Sequence, residues 1–192
     1  MYHIQQYQLR EFITPSLVKL SFQQPLPKSF GDCRLVVVRG QYYLCLPVDA
    51  PKHQIENKHR IVALDPGVRN FLTLFSENSF GWIGSNDMGR IQRLCHHLDD
   101  LISRLTLAKS QTKQGMKKAA NRLKLKIRNL RDELHHKTAL FLVQNFEVIL
   151  LPTFEVSQMI IKSSRKLRSK SVRQMLNWAH YRFELFLQLK GC

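Results

Sequence analysis

Two carboxylates stand at the ends of apolar runs. Asp65 closes Ile61-Val62-Ala63-Leu64 and precedes Pro66-Gly67, and Glu155 follows Val148-Ile149-Leu150-Leu151 and Pro152. A carboxylate beside a buried strand is costly unless a cation or a metal pairs with it. Hard divalent cations take several oxygen ligands, so Asp65 alone does not complete a metal site. An aspartate at a strand end also caps turns such as Pro66-Gly67, and that plainer reading stands beside the metal one. Other metal-capable residues do not converge. Cys95-His96-His97 and His135-His136 fall on predicted helices, where adjacent side chains point about 100° apart. The four cysteines (Cys33, Cys45, Cys95, Cys192) are scattered without C-x-x-C spacing, which argues against a zinc ribbon and a disulfide scaffold and for a reducing compartment.

Charge is the second chemical signal. The chain has 192 residues, 30 Lys+Arg against 14 Asp+Glu, and a net charge of +16. With 44% hydrophobic residues it is a folded protein and not a basic tail. Eleven cations but only two acids (Asp132, Glu133) fall between residues 104 and 137, and six cations with no acid between 162 and 173. A solvated helix face usually mixes both signs, so these clusters leave repulsion that phosphates would relieve. Lys117, Lys118, Arg122, Lys124, Lys126 and Arg128 from the first cluster, and Arg165, Lys166, Arg168 and Arg173 from the second, are the expected nucleic-acid contacts. There is no run of about 18 apolar residues and no secretory leader pattern. The expectation is a cytoplasmic protein, nucleoid-associated in a bacterium, with no membrane partner.

These residues need elements to position them. Residues 1–50 read as β, with strands near Leu17–Phe22, Leu35–Val38 and Gln41–Val48, the last two joined by a hairpin turn at Arg39-Gly40. Residues 49–60 read as a linker. Ile61–Leu64, Phe71–Phe75 and Phe80–Gly84 predict a three-stranded antiparallel meander whose first strand is buried. Residues 86–107 carry Ile91, Leu94, Leu98, Leu101, Ile102 and Leu105 at helical spacing. After a polar break at Gln111–Gly115, residues 117–145 repeat the pattern with Leu123, Ile127, Leu130, Leu134 and Phe141, flanked by the cations. The two helices are expected to pair antiparallel. Val148–Leu151 predicts another buried strand. Residues 172–190 predict one last helix, with Val172, Met175, Leu176, Ala179, Phe183, Phe186 and Leu187 facing a core. Trp82 and Trp178 are expected in the core, since base stacking would need them exposed. Of Tyr42 and Tyr43, one is expected to face out.

The order β-β-β, helices, β, helix is that of an RNase H-like fold up to its fourth strand and following helix. The expected class is α/β: a partial RNase H-like (RuvC) core with an inserted helical hairpin, preceded by the end of a β wedge or OB-like domain. In such a core the Asp65 position holds the central carboxylate of a two-metal site, and the end of the fourth strand supplies a second acid.

The motifs carry a family resemblance. IVALDPGVRNFLTLFS (61–76) resembles the first RuvC motif of TnpB (OrfB-type) proteins, the accessory transposases of insertion sequences, in the form shared by one TnpB branch and the Fanzor proteins. EVILLPTFEVSQM (147–159) resembles that branch's second RuvC motif. KSVRQMLNWAHYRFELFLQLKG (170–191) resembles the helix that follows, and GDCRLVVVRGQYYLCLPV (31–48) the last wedge strands. The resemblance implies residues 1–60 as the end of the wedge domain and 61–192 as a RuvC domain lacking its last strand, zinc finger and third acidic motif. It implies the lineage of RNA-guided DNA endonucleases, a transposon-end guide RNA and DNA as partners, and Mg²⁺ or Mn²⁺ held by Asp65 and Glu155, with no Zn²⁺ in this chain. Most of the family places its second acid where Pro152 stands here, and Glu155 takes that role through the displaced LP-x-F-E pattern. Without a third carboxylate, the expectation is a fragment with impaired or no cleavage. The alternative is a catalytically inactive, basic nucleic-acid-binding module.

Overall fold

The computed structural model describes residues 2–4, 25–48, 59–154, 156–159, 161 and 168–191. The chain divides into two compact units, residues 1–54 and 55–192.

The first unit is a three-stranded antiparallel sheet in the order β1-β2-β3: β1 Tyr2–Ile4, β2 Cys33–Val38 and β3 Gln41–Cys45. β2 and β3 pair from Arg34↔Cys45 to Val38↔Gln41, across the expected turn. Arg39 (φ 52°) and Gly40 (φ 80°) both adopt the left-handed conformation, the backbone of a two-residue turn whose twist matches its strands. Cys33 is fully buried under Phe30, Leu35, Leu44 and Leu46. Tyr42 faces out, at 73% exposure, and Tyr43 is more enclosed. The strand expected at Leu17–Phe22 lies outside the described residues.

The second unit is α/β. Strands β4 (His59–Pro66), β5 (Leu72–Ser76) and β6 (Phe80–Ile83) form the antiparallel meander. Helices α1 (Asp87–Leu107) and α2 (Ser110–Asn145) follow, then strand β7 (Phe146–Leu150), which pairs parallel to β4 from His59↔Phe146 to Ala63↔Leu150. The sheet order is β6-β5-β4-β7. A four-residue helical turn, α3 (Val156–Met159), precedes α4 (Ser169–Trp178) and α5 (His180–Gly191).

The helices bury one face of this sheet. Val62, Leu64, Leu72, Leu74 and Phe146 share a core with Met88, Ile91 and Cys95 of α1, Ala139 and Leu142 of α2, and Trp178, Phe183 and Leu187. The alternate residues Ile61, Ala63, Phe75, Phe80, Trp82, Val148 and Leu150 are exposed. Three expectations are corrected by this one-sided packing. The Ile61–Leu64 and Val148–Leu151 runs are buried on one face only, because among the described residues no element covers the other. Trp82 is 61% exposed for the same reason, whereas Trp178 is fully buried as expected.

The helices depart from expectation in detail. The break between α1 and α2 is only Ala108 and Lys109, both extended, so residues 111–115 are already helical. Phe141 and Ile102 lie on the predicted apolar stripes yet are half exposed, although the Phe141 ring still meets Phe146 of β7 at 6.0 Å; the stripe residues Ile127, Leu130 and Leu134 do pack on the core. The last helix is two helices. Ala179 takes a left-handed conformation (φ 51°, ψ 52°), its N–H bonds to Met175 O, and the axis resets; Leu176 is left exposed on the far side of α4.

Gly84 joins β6 to α1 with φ +76°. A Cβ there would meet Phe71 Cβ at 2.9 Å and Trp178 Cη2 at 3.3 Å. The left-handed conformation and overpacking each disfavour a side chain. Gly84→Ala is therefore expected to lower unfolding stability by about 2–4 kcal/mol, read as a shift in the urea midpoint, whereas Gly115→Ala, with open space around its Cβ on α2, is expected to be neutral or stabilising.

Candidate functional site

Asp65 sits near the carboxyl end of β4, the strand with partners on both sides. It pairs in register with Thr73 of β5 and projects to the open face, between the buried Leu64 and Pro66. Among the described residues its carboxylate has no cation or hydrogen-bond donor, so the cost of burial that the sequence suggests does not arise.

The loop that follows Asp65 is held from behind. Gly67 N–H donates to Phe71 O at 3.2 Å, and Phe71 N–H to Ile83 O at 2.8 Å. Trp178 Nε1–H donates to Val68 O at 2.9 Å. His180 Nε2 lies 3.2 Å from Gly67 O, and His135 Nε2 2.8 Å from Trp178 O. Carbonyls only accept, so both Nε2 atoms carry the proton. The Phe71 ring is stacked between His135 and His180, with both centroid distances 5.0 Å, and takes the edge of Phe183 at 5.0 Å. The ring of His180 also meets Phe154 edge-on at 5.0 Å. His180 thus touches the loop after Asp65 and the residue before Glu155. Its buried Nδ1 has no partner among the described residues, and the residue lines a small cavity with Pro66, Leu151, Pro152, Phe154, Phe183 and Glu184.

Sequence reasoning missed this clamp. The only trace of it is the WAHYRF stretch at 178–183, read as helix. Ala179 gives no warning of the break that frees the Trp178 carbonyl for His135, because alanine is the best helix former.

The resemblance places a divalent cation at Asp65. An exposed, unpaired carboxylate oxygen is a fitting hard ligand for Mg²⁺ or Mn²⁺. Among the described residues no three His, Cys, Asp or Glu side chains gather as a ligand group. Glu155 lies outside the described residues.

The cations form a second feature. α2 has 36 residues, about 54 Å of helix, against 21 in α1. Lys118, Arg122 and Lys126 recur every fourth residue along one exposed face. Lys117, also exposed, and the half-buried Lys124 and Arg128 lie along a second ridge. Among the described residues no ion pair involves Lys117, Lys118, Arg122, Lys124 or Lys126. The acids further along α2 are already used: Asp132 by Arg131 (2.9 Å) and Arg182 (3.3 Å), and Glu133 by Lys137 (2.6 Å). Arg168 is exposed at the start of α4. Arg173 is committed within the fold: its guanidinium makes a two-pronged pair with Asp99 of α1, one contact at 2.9 Å, and holds that carboxyl below its usual range. Arg165 and Lys166 lie outside the described residues. No helix among the described residues is long and apolar enough to cross a membrane.

No family model matches the chain. Curated relatives do. TnpB-like proteins L79 and L770 of Acanthamoeba polyphaga mimivirus are each 24% identical over 152 aligned residues, covering 74% of this chain and 28% of theirs. Protein A625R of Paramecium bursaria Chlorella virus 1, named as a transposase, is 29% identical over 160 residues, covering 79% of this chain and 34% of its own. The chain is similar to these TnpB-like and transposase-named proteins over about three quarters of its length, 74% to 79%. It spans about a third of their length, between 28% and 34%.

Burial pushes both His135 and His180 down to about 4, against their carbonyl hydrogen bonds. In the unfolded chain both titrate near 6.5. Below pH 6.5 the unfolded state therefore binds more protons, so stability is full above that pH and falls as pH drops toward 4. The expected loss is roughly 3 kcal/mol per histidine at most, read as urea midpoints at pH 7.5, 5.5 and 4.5. His180→Phe, which keeps a ring beside Phe71, is expected to flatten that pH dependence.

Proposed function

We propose that this chain is a transposon-derived nucleic-acid-binding protein of the RNA-guided DNA endonuclease lineage, built on a partial RNase H-like (RuvC) core. The observation that carries this reading is Asp65, without a partner among the described residues, near the end of β4, with parallel β7 beside it delivering the Leu150–Phe154 segment. The first unit, in the same reading, is the end of a wedge or OB-like domain. DNA and a transposon-end guide RNA are the partners, and Lys117, Lys118, Arg122, Lys124, Lys126 and Arg128 of α2, with Arg168, bind phosphates. Arg165 and Lys166 extend that set.

Asp65 and Glu155 would hold the divalent cation, which supplies charge stabilisation at a phosphodiester oxygen when bound. The chain's own residues orient that site. The carbonyls of Gly67 and Val68 are pinned by His180 and Trp178, so the strand end that carries Asp65 leads into a fixed loop. The basic face of α2 holds the backbone by charge, without reading sequence.

A second reading is favoured by the absence of a three-carboxylate group among the described residues: binding without cleavage. The two readings separate on Asp65→Ala. In either case the variant is expected to bind DNA and RNA as tightly as the parent. Mn²⁺-dependent nicking, weak in the parent, is expected to vanish, and a parent that never nicks supports the binding module.

Phosphate binding has its own test. The triple change Lys118→Ala, Arg122→Ala and Lys126→Ala is expected to reduce the slope of log affinity against log salt by about 2 for single strands, with helical content unchanged by circular dichroism. An unaltered slope would remove α2 from the interface.

A further inference from the structure

Three large aromatic rings stand on the open face of the second unit's sheet, where a soluble strand usually turns polar groups to water. Phe75, Phe80 and Trp82 are 63%, 59% and 61% exposed. Phe80 and Trp82 meet edge to face with centroids 5.1 Å apart. Strand register fixes where they lie relative to Asp65. Trp82, Thr73 and Asp65 form one cross-strand row, and Phe80, Phe75 and Ala63 the next. With strands about 4.8 Å apart, the Trp82 backbone is roughly 10 Å from that of Asp65. The rings fill the β5–β6 half of the face. Smaller aliphatic groups occupy the β4–β7 half.

We propose that Phe75, Phe80 and Trp82 are a stacking platform for unpaired bases of a nucleic-acid strand whose backbone passes Asp65. Charge names the occupant: a chain of net charge +16 attracts a polyanion, and a polyanion whose bases carry π faces is complementary to a bare aromatic surface. Aromatic rings accept any base but need its face free, so the platform selects single strands and distorted ends over intact duplex. The inference rests on the nucleic-acid reading above and gives it a substrate class.

Trp178 is fully buried, so Trp82 is the solvent-facing tryptophan and its fluorescence reports the platform. The full-length chain is titrated with an oligothymidine and, separately, with a duplex of equal length. Quenching by the single strand is expected. Trp82→Ala and Phe75→Ala are each expected to weaken single-strand binding roughly 5- to 150-fold and to leave duplex binding within about twofold, with circular dichroism unchanged. Single-strand affinity unaltered in Trp82→Ala, in a protein that still binds both ligands, overturns the platform and leaves the phosphate-binding reading standing. Failure of the parent chain to bind either ligand sinks both. Self-association in sedimentation velocity that Trp82→Ala abolishes, with single-strand affinity intact, assigns the face to a second copy of the chain and also overturns the proposal.

Discussion

The Phe71 ring is the contact on which the second unit depends. It stacks with two histidines, one from α2 and one from α5, and meets the ring of Phe183 nearly at right angles and that of Trp178 at a tilt. Aromatic packing of this kind adds specific geometry to area burial. It ties a loop of the sheet to helices a hundred residues downstream in the chain. Each tie has a polar counterpart: the backbone groups that the loop and the helix break leave open are taken by Trp178, His180 and His135. The rigidity of the loop behind Asp65 is thus a property of the helices and not of the Pro66-Gly67 turn alone.

Acids and cations are sorted along the same helices. Toward the sheet, Asp99, Asp132 and Glu133 are matched by Arg173, Arg131, Arg182 and Lys137. Toward the hairpin tip, α2 carries lysines and arginines with no acid between residues 113 and 128. Exposed pairs of this kind contribute little stability, so the sorting bears on what the surface attracts more than on how firmly the unit folds. The sheet shows a parallel division. One face is closed by helices, and the other is apolar and uncovered among the described residues, with Asp65 near the end of its central strand.

Much of this was legible in the residues. The meander from Ile61 to Ile83, the Arg39-Gly40 turn, both long helices and the burial of Trp178 follow from periodicity and turn chemistry. What escaped was set by tertiary context. An apolar run reads the same whether one face of its strand is covered or both, so Ile61, Val148 and Trp82 were expected inside. Ala179 breaks a helix that its own propensity favours, because the Phe71 cluster pays for the left-handed residue. Arg173 reads as a surface cation until Asp99 is placed opposite it. Asp65 was found from its strand-end position, but its open, unpaired setting came only from the fold. The roles read onto Glu155, Arg165 and Lys166 lie outside the described residues.

The parallel pairing of β7 with β4 has a consequence for how the unit assembles. That ladder joins His59 to Phe146 across the whole of the helical hairpin, and closing so long a loop carries an entropic penalty before any strand contact forms. The hairpin between them is made of local contacts, which form fast. Two helices joined by two extended residues return the chain to the sheet, so the basic helix delivers Phe146 to the edge of β4. The element that carries the positive charge is also the one that completes the sheet around Asp65, and a change that frays α2 near Asn145 would reach the carboxylate through strand order, with no residue of the site itself altered.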